Sequence, residues 1–142
     1  HQDTAGPQQA AEEKGVFSVG YNTDMSKVAP KANLTSAVWN WGPFFVSQIK
    51  AIKDGTWTNK PYWGSMSDNV VALAPLTANA PEGAQALVDA EKTKILDGSW
   101  DVFNGPIKDQ TGAVKVAEGS KMTDAEMLSF DWFVEGVIGK TK

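Results

Sequence analysis

Cysteine is absent from the 142-residue chain, and histidine occurs once, at position 1. Without thiols there is no disulfide, no thiolate metal site and no cysteine nucleophile, and the redox compartment stays open. A single histidine leaves almost nothing for a histidine-based zinc site or a Ser-His-Asp triad. No apolar run approaches the ~20 residues needed to cross a bilayer, and no signal-peptide pattern opens the chain. Positive charge is scattered: 13 basic against 17 acidic residues give a net charge of −4. No cluster of lysines forms the basic patch that a phosphate backbone requires, so nucleic acid is not an expected partner. Gly20 and Gly42 stand alone, and neither phosphate-loop pattern, G-x-x-x-x-G-K-S/T or G-x-G-x-x-G, occurs. There is no G-x-S-x-G elbow, and Asp24, Asp54 and Asp68 are spread without paired-carboxylate spacing. These absences argue against an enzyme, and no cofactor or metal is implied.

What is present is a globular balance, 42% apolar and 21% charged, on a chain long enough for one ordinary core. The opening residues His1 to Thr4 read as a loop leaving a strand that lies outside the chain, so a piece of a larger protein is expected. Pro7 suits the first position of a helix through Lys14, with Gly15 as its cap. Val16 to Tyr21 (VFSVGY) reads as a buried strand. A helix between two strand positions suggests a βαβ unit and a parallel sheet. Leu34 to Val38 is the next strand, followed by a helix from Pro43 to Asp54 with Phe45, Ile49 and Ile52 on one face and Gly55 closing it. Extended segments are expected at Tyr62 to Ser65 and Asn69 to Leu76. A helix from Pro81, with the stripe Ala84, Leu87, Val88 and Ile95, stops at Gly98. Pro106 to Val116 folds about a turn at Asp109 to Gly112, and Thr123 with Glu126 caps a last helix running through Met127, Leu128, Trp132 and Phe133.

Parallel sheets bind ligands at the carboxyl ends of their strands, which directs attention to three groups. His1, Gln2 and Asp3 offer directional hydrogen bonds there, although their position alone favours a solvated loop with Asp3 or Thr4 capping the helix. Asn22 and Asp24, after the second strand, could pair with the donors and acceptors of one ligand edge, or serve as ordinary turn formers. Trp39, Asn40 and Trp41 end the third strand, and six tryptophans in so short a chain is high. An indole there can stack on a flat ligand, or it can fill the core.

The stretches GVFSVGYNTDMSKVAPKANLTSAVWNWGPFF, AIKDGTW, YWGSMSDNVVALAPL, VFNGPIKDQTG and LSFDWFVEGVIG resemble, in that order, the C-terminal portion of the basic membrane protein family. These are substrate-binding lipoproteins of ABC importers related to the bacterial purine-nucleoside receptors. The resemblance covers nearly the whole chain. It implies an α/β, periplasmic-binding-protein type I fold: two three-layer α/β/α lobes with parallel sheets, joined by a hinge. The chain would be a partial copy lacking most of the N-terminal lobe. Residues 1–38 would belong to the C-terminal lobe, 39–101 to a hinge crossing and part of the N-terminal lobe, and 102–142 to the return across the hinge with a hairpin and helix.

The resemblance also implies a role: an extracytoplasmic, periplasmic or cell-surface solute receptor that docks on a membrane permease. Its only membrane attachment would be an N-terminal lipid anchor absent from this chain. In nucleoside-binding relatives His1, Gln2 and Asp3 correspond to a small ligand-contacting loop. Asn22 falls where those relatives place an Asp that holds the ribose, and Trp39 where they place a Lys that does the same. An amide and an indole in place of that charged pair imply a purine ligand without its sugar, such as adenine. The expected ligand residues are Gln2, Asp3, Asn22 and Trp39, then His1 and Asp24. A sensory module of the same fold is the alternative; a purine-processing hydrolase is a remoter one.

Overall fold

The structure, a computed structural model, describes residues 4–140. The chain divides into two compact units, His1–Ala90 and Glu91–Lys142.

The first unit opens with α1 (Gly6–Lys14), which has Pro7 in its first turn and ends on Gly15 at φ 65°. Gln8 is 1% exposed, and its amide donates to the Val19 carbonyl at 3.2 Å, fastening the helix to β1 (Ser18–Asn22). β1 runs parallel to β2 (Asn33–Trp39), with Gly20 opposite Ser36, Tyr21 opposite Ala37 and Asn22 opposite Val38. The crossover between them is a run of turns rather than a helix, with Ala29 and Ala32 at its buried centre.

β3 (Val71–Leu73) pairs with β2 in the antiparallel sense, giving the order β1-β2-β3. The parallel pairing expected from the sequence holds for β1 and β2, and β3 makes the sheet mixed. The chain returns to β2 through a long excursion containing α2, which brings it back from the opposite end. β3 is shorter than the expected 69–76 segment because Asn69 adopts a left-handed φ of 57° just before it. The described buried side chains of this unit are the apolar Met25, Ala29, Ala32, Val70 and Ala74 together with polar ones. Asn33, Thr35 and Ser36 of β2 are buried, and the Thr35 hydroxyl donates to the Ala74 carbonyl at 2.6 Å.

β1 begins at Ser18, and Val16, Phe17 and Val19, expected in a buried strand, are more than half exposed. Residues 62–65 form no strand; Tyr62 packs instead against Phe44, with ring centroids 4.4 Å apart. α3 (Ala84–Leu96) starts beyond Pro81, since Gly83 at φ 81° interrupts the helical path, and within its stripe Leu87 is 72% exposed. α2 (Gly42–Lys53) matches the sequence reading closely, ending before Gly55 at φ 68°.

In the second unit β4 (Ile107–Lys108) and β5 (Val114–Val116) make the expected hairpin. The Asp109 carboxylate accepts from the Thr111 N–H and hydroxyl at 2.8 and 2.6 Å, and from the Ala113 N–H at 3.2 Å, which fixes the turn. Gly105 is required because a Cβ there would strike the Ala117 carbonyl. α4 (Asp124–Leu128) carries the expected Thr123–Glu126 capping box but stops after one turn. The Ser129 hydroxyl donates to the Ala125 carbonyl at 2.9 Å, and the chain leaves the helix so that Phe130 and Trp132 stack with centroids 4.2 Å apart. Trp132 and Phe133 therefore lie outside the helix in which the sequence reading placed them.

Candidate functional site

The carboxyl ends of β1 and β2 lie side by side, and they bring together two of the expected residues. Asn22 is the last residue of β1 and sits opposite Val38, one position before Trp39 at the end of β2. Asn22 is exposed and takes a φ of 75°, a conformation that Asn tolerates better than most residues with a Cβ. Left-handed residues other than Gly are enriched where a side chain must be aimed.

Trp39 is half-buried rather than enclosed. Parallel pairing puts Tyr21 and Ala37 on the same side of the sheet, and Trp39 two residues further along β2 shares that side. The Tyr21 and Trp39 rings accordingly meet edge to face, with centroids 5.8 Å apart and planes at 88°.

The loop after β1 is held in place from beneath. The buried Ser36 hydroxyl accepts the Met25 N–H at 3.1 Å, and the Met25 side chain is itself 8% exposed. Gly20 makes this possible, since a Cβ on it would collide with Ser36 Oγ and approach Met25 Cγ to 2.8 Å. Asp24 lies in the anchored loop, and its Oδ1 accepts the Ser26 N–H at 2.9 Å, the turn-forming role that the sequence left as one alternative. Both Asn22 and Asp24 are exposed. His1, Gln2 and Asp3 lie outside the described residues.

Beyond Trp39, Trp41 sits against Phe44 at 5.9 Å and Phe45 at 6.3 Å, and Phe44 against Tyr62, at the amino end of α2. This aromatic group was not foreseen, because its members are up to 21 residues apart in sequence (Tyr62 − Trp41) and no periodicity links them. Asp68 accepts the Ser65 N–H at 2.9 Å and the Ser65 hydroxyl at 2.8 Å. These two bonds, the backbone one foremost, hold its carboxyl below the ordinary aspartate value, which suits a turn cap and not a general base.

Among the described residues no group of His, Asp and Glu is placed to hold a metal, and no helix is long and apolar enough to cross a membrane. In the second unit a concavity of about 230 Å³ is lined by Lys115, Met122, Glu126, Ser129, Asp131 and Trp132, among others. None of the residues expected from the sequence lines it.

β1 and β2 thus bring an amide and an indole to the carboxyl ends of adjacent parallel strands, the place where open α/β sheets commonly bind ligands. The model of the ABC transporter substrate-binding protein family described as PnrA-like matches residues 1–100, and the chain belongs to that family. A purine-binding protein of Brucella abortus is 35% identical over 140 residues, which is 99% of this chain and 40% of the relative. A putative ABC transporter glucose-binding protein of Haloferax volcanii is 29% identical over 98% of this chain and 33% of its own length. The chain thus spans between a third and two fifths of these relatives and is a partial copy of their fold.

Among solved structures, an ABC transporter solute-binding protein of Conexibacter woesei has a TM-score of 0.50 and 25% identity, covering 71% of this chain and 35% of its own. A transcriptional activator of the comK gene from Bacillus halodurans has a TM-score of 0.57 at 18% identity, covering 67% of this chain and 34% of its own, which shows the shared fold alone. The family resemblance read from the sequence and the expected α/β fold class both hold.

Proposed function

We infer that the chain forms part of an extracytoplasmic receptor that binds a purine base between two lobes and delivers it to a membrane permease. The observation carrying this reading is the half-buried Trp39 indole at the end of β2, beside the left-handed Asn22 at the end of β1. A flat aromatic wall next to an amide suits a planar heterocycle with donors and acceptors on its edge. The indole contributes stacking, and Asn22 supplies a paired donor and acceptor. Base stacking on aromatics contributes about 1–3 kcal/mol per base. Asp24 is the next candidate, through the oxygen that Ser26 does not engage. Gln2, Asp3 and His1 stay in the proposed set by their correspondence with the ligand loop of nucleoside-binding relatives.

Residues 1–38 would lie in the C-terminal lobe, 39–101 would cross the hinge into the N-terminal lobe, and 102–142 would return. Closure of the lobes on ligand is a hinge motion driven by tighter binding in the closed form. The name of the purine-binding relative supports the ligand class, and an indole where the family resemblance implies a ribose-holding lysine in nucleoside-binding relatives supports the free base over the nucleoside. Titrating the natural-length protein with adenine, adenosine and glucose tests this. Adenine should bind most tightly; tighter binding of adenosine or glucose overturns it. Trp39→Ala should weaken adenine roughly 5- to 150-fold, the range of one lost stack.

A further inference from the structure

We propose that Tyr21 is a specificity-determining positioning residue: it holds the Trp39 indole in the one orientation that admits a base and excludes its sugar. This rests on the purine reading above. A tryptophan at the end of a strand has two side-chain torsions to settle and no following strand residue to pack against. Its plane must therefore be fixed by a neighbour on the same face. Val71 stands directly opposite Trp39 on β3, and Tyr21 is the neighbour that brings a ring to it, because the parallel register sets Tyr21 opposite Ala37 and two positions short of Trp39. The perpendicular planes and 5.8 Å separation match the favoured edge-to-face geometry of aromatic pairs.

Tyr21 is itself held. It is half-buried in β1, between Gly20, which has no room for a Cβ, and Asn22, whose backbone turns left-handed. The phenol ring thus transmits the rigidity of the strand pair to the indole. Discrimination between base and nucleoside depends on where that indole plane lies, since a tilted ring would open the volume that the ribose needs. A ring at position 21 is what matters, so Tyr21→Phe keeps the device and Tyr21→Leu removes it while retaining an apolar side chain.

Two readouts on the natural-length protein test the proposal. With 5-fluorotryptophan incorporated and the Trp39 resonance identified through Trp39→Phe, the wild type and Tyr21→Phe should give one sharp fluorine signal for position 39. Tyr21→Leu should shift, broaden or split it. In calorimetric titrations Tyr21→Leu should weaken adenine roughly 3- to 10-fold, the size of one aromatic edge contact. It should leave adenosine within about twofold, so that the affinity ratio falls, and Tyr21→Phe should restore the ratio. An unmoved fluorine signal in Tyr21→Leu overturns the proposal, and so does equal weakening of both ligands. If the wild type binds neither purine, the ligand reading fails and the specificity proposal with it, whereas the fluorine signal still reports whether Tyr21 fixes the ring.

Discussion

At the scale of single residues, the loop that carries Asn22 and Asp24 depends on two positions outside the proposed ligand set. Gly20 lets Met25 and the Ser36 hydroxyl close beneath the loop, and Ser36 takes up the Met25 N–H where solvent cannot. Ser36→Ala leaves that buried N–H unpaired, a loss of about 1–3 kcal/mol. Gly20→Ala forces the strand and loop apart, and overpacking of this kind costs typically ~1–3 kcal/mol. Both should lower the urea midpoint of unfolding, and both should weaken adenine binding by loosening the Asn22 turn. Unchanged midpoints would mean that the loop is not anchored through this contact. Asn22→Gly retains the backbone freedom that a φ of 75° asks for but deletes the amide. It should preserve the midpoint and lose affinity, separating the residue's conformational role from its hydrogen-bonding role.

At the scale of elements, the capping box of α4 ties stability to pH with a definite sign. The Thr123 N–H, and then its hydroxyl, hold the Glu126 carboxyl below its ordinary value of 4.5. A carboxyl depressed in the folded state stabilises above its unfolded value, and that contribution fades as the pH falls through 4.5 and below the folded value. Amide exchange at Glu126, Met127 and Ser129 should accelerate across that acid window relative to the intrinsic rate. Glu126→Gln should flatten the dependence.

The capping box was legible in the sequence because it is a local pattern of two residues three apart, and so were α1, α2, β2 and the β4–β5 turn. What stayed hidden was set by contacts distant in sequence. Nothing in LSFDWF announces that Ser129 will turn back on Ala125 and free Phe130 and Trp132 to stack. The antiparallel entry of β3 follows from the route of the chain rather than from the three residues that form it. At the site, strand ends located Asn22 and Trp39, and the general preference of Asn for positive φ was the one available hint of the Asn22 turn. Tyr21 read as core, since its partner is visible only once the parallel register is known.

At the scale of the whole molecule, the apolar surface carries information. Phe45, Val46, Ile49 and Ile52 form the stripe that the spacing of α2 dictates, yet each is 58–62% exposed. A contiguous apolar face of this kind is uncommon on a finished soluble surface and marks a surface that something covers. The proposed division of the chain assigns α2 to the N-terminal lobe, and the chain spans 40% of its purine-binding relative, so the cover would come from the remainder of the receptor. Ile49→Glu separates the two situations. In residues 1–142 alone it should reduce the binding of an apolar-surface dye and leave the unfolding midpoint nearly unchanged, because the position is solvated there. In the natural-length protein the same substitution would bury an unpaired carboxylate against apolar neighbours, a loss of several kcal/mol, and should lower Tm by more than about 5 °C. Equal and small effects in both proteins would place α2 on an outer surface and remove the basis for assigning it to the second lobe.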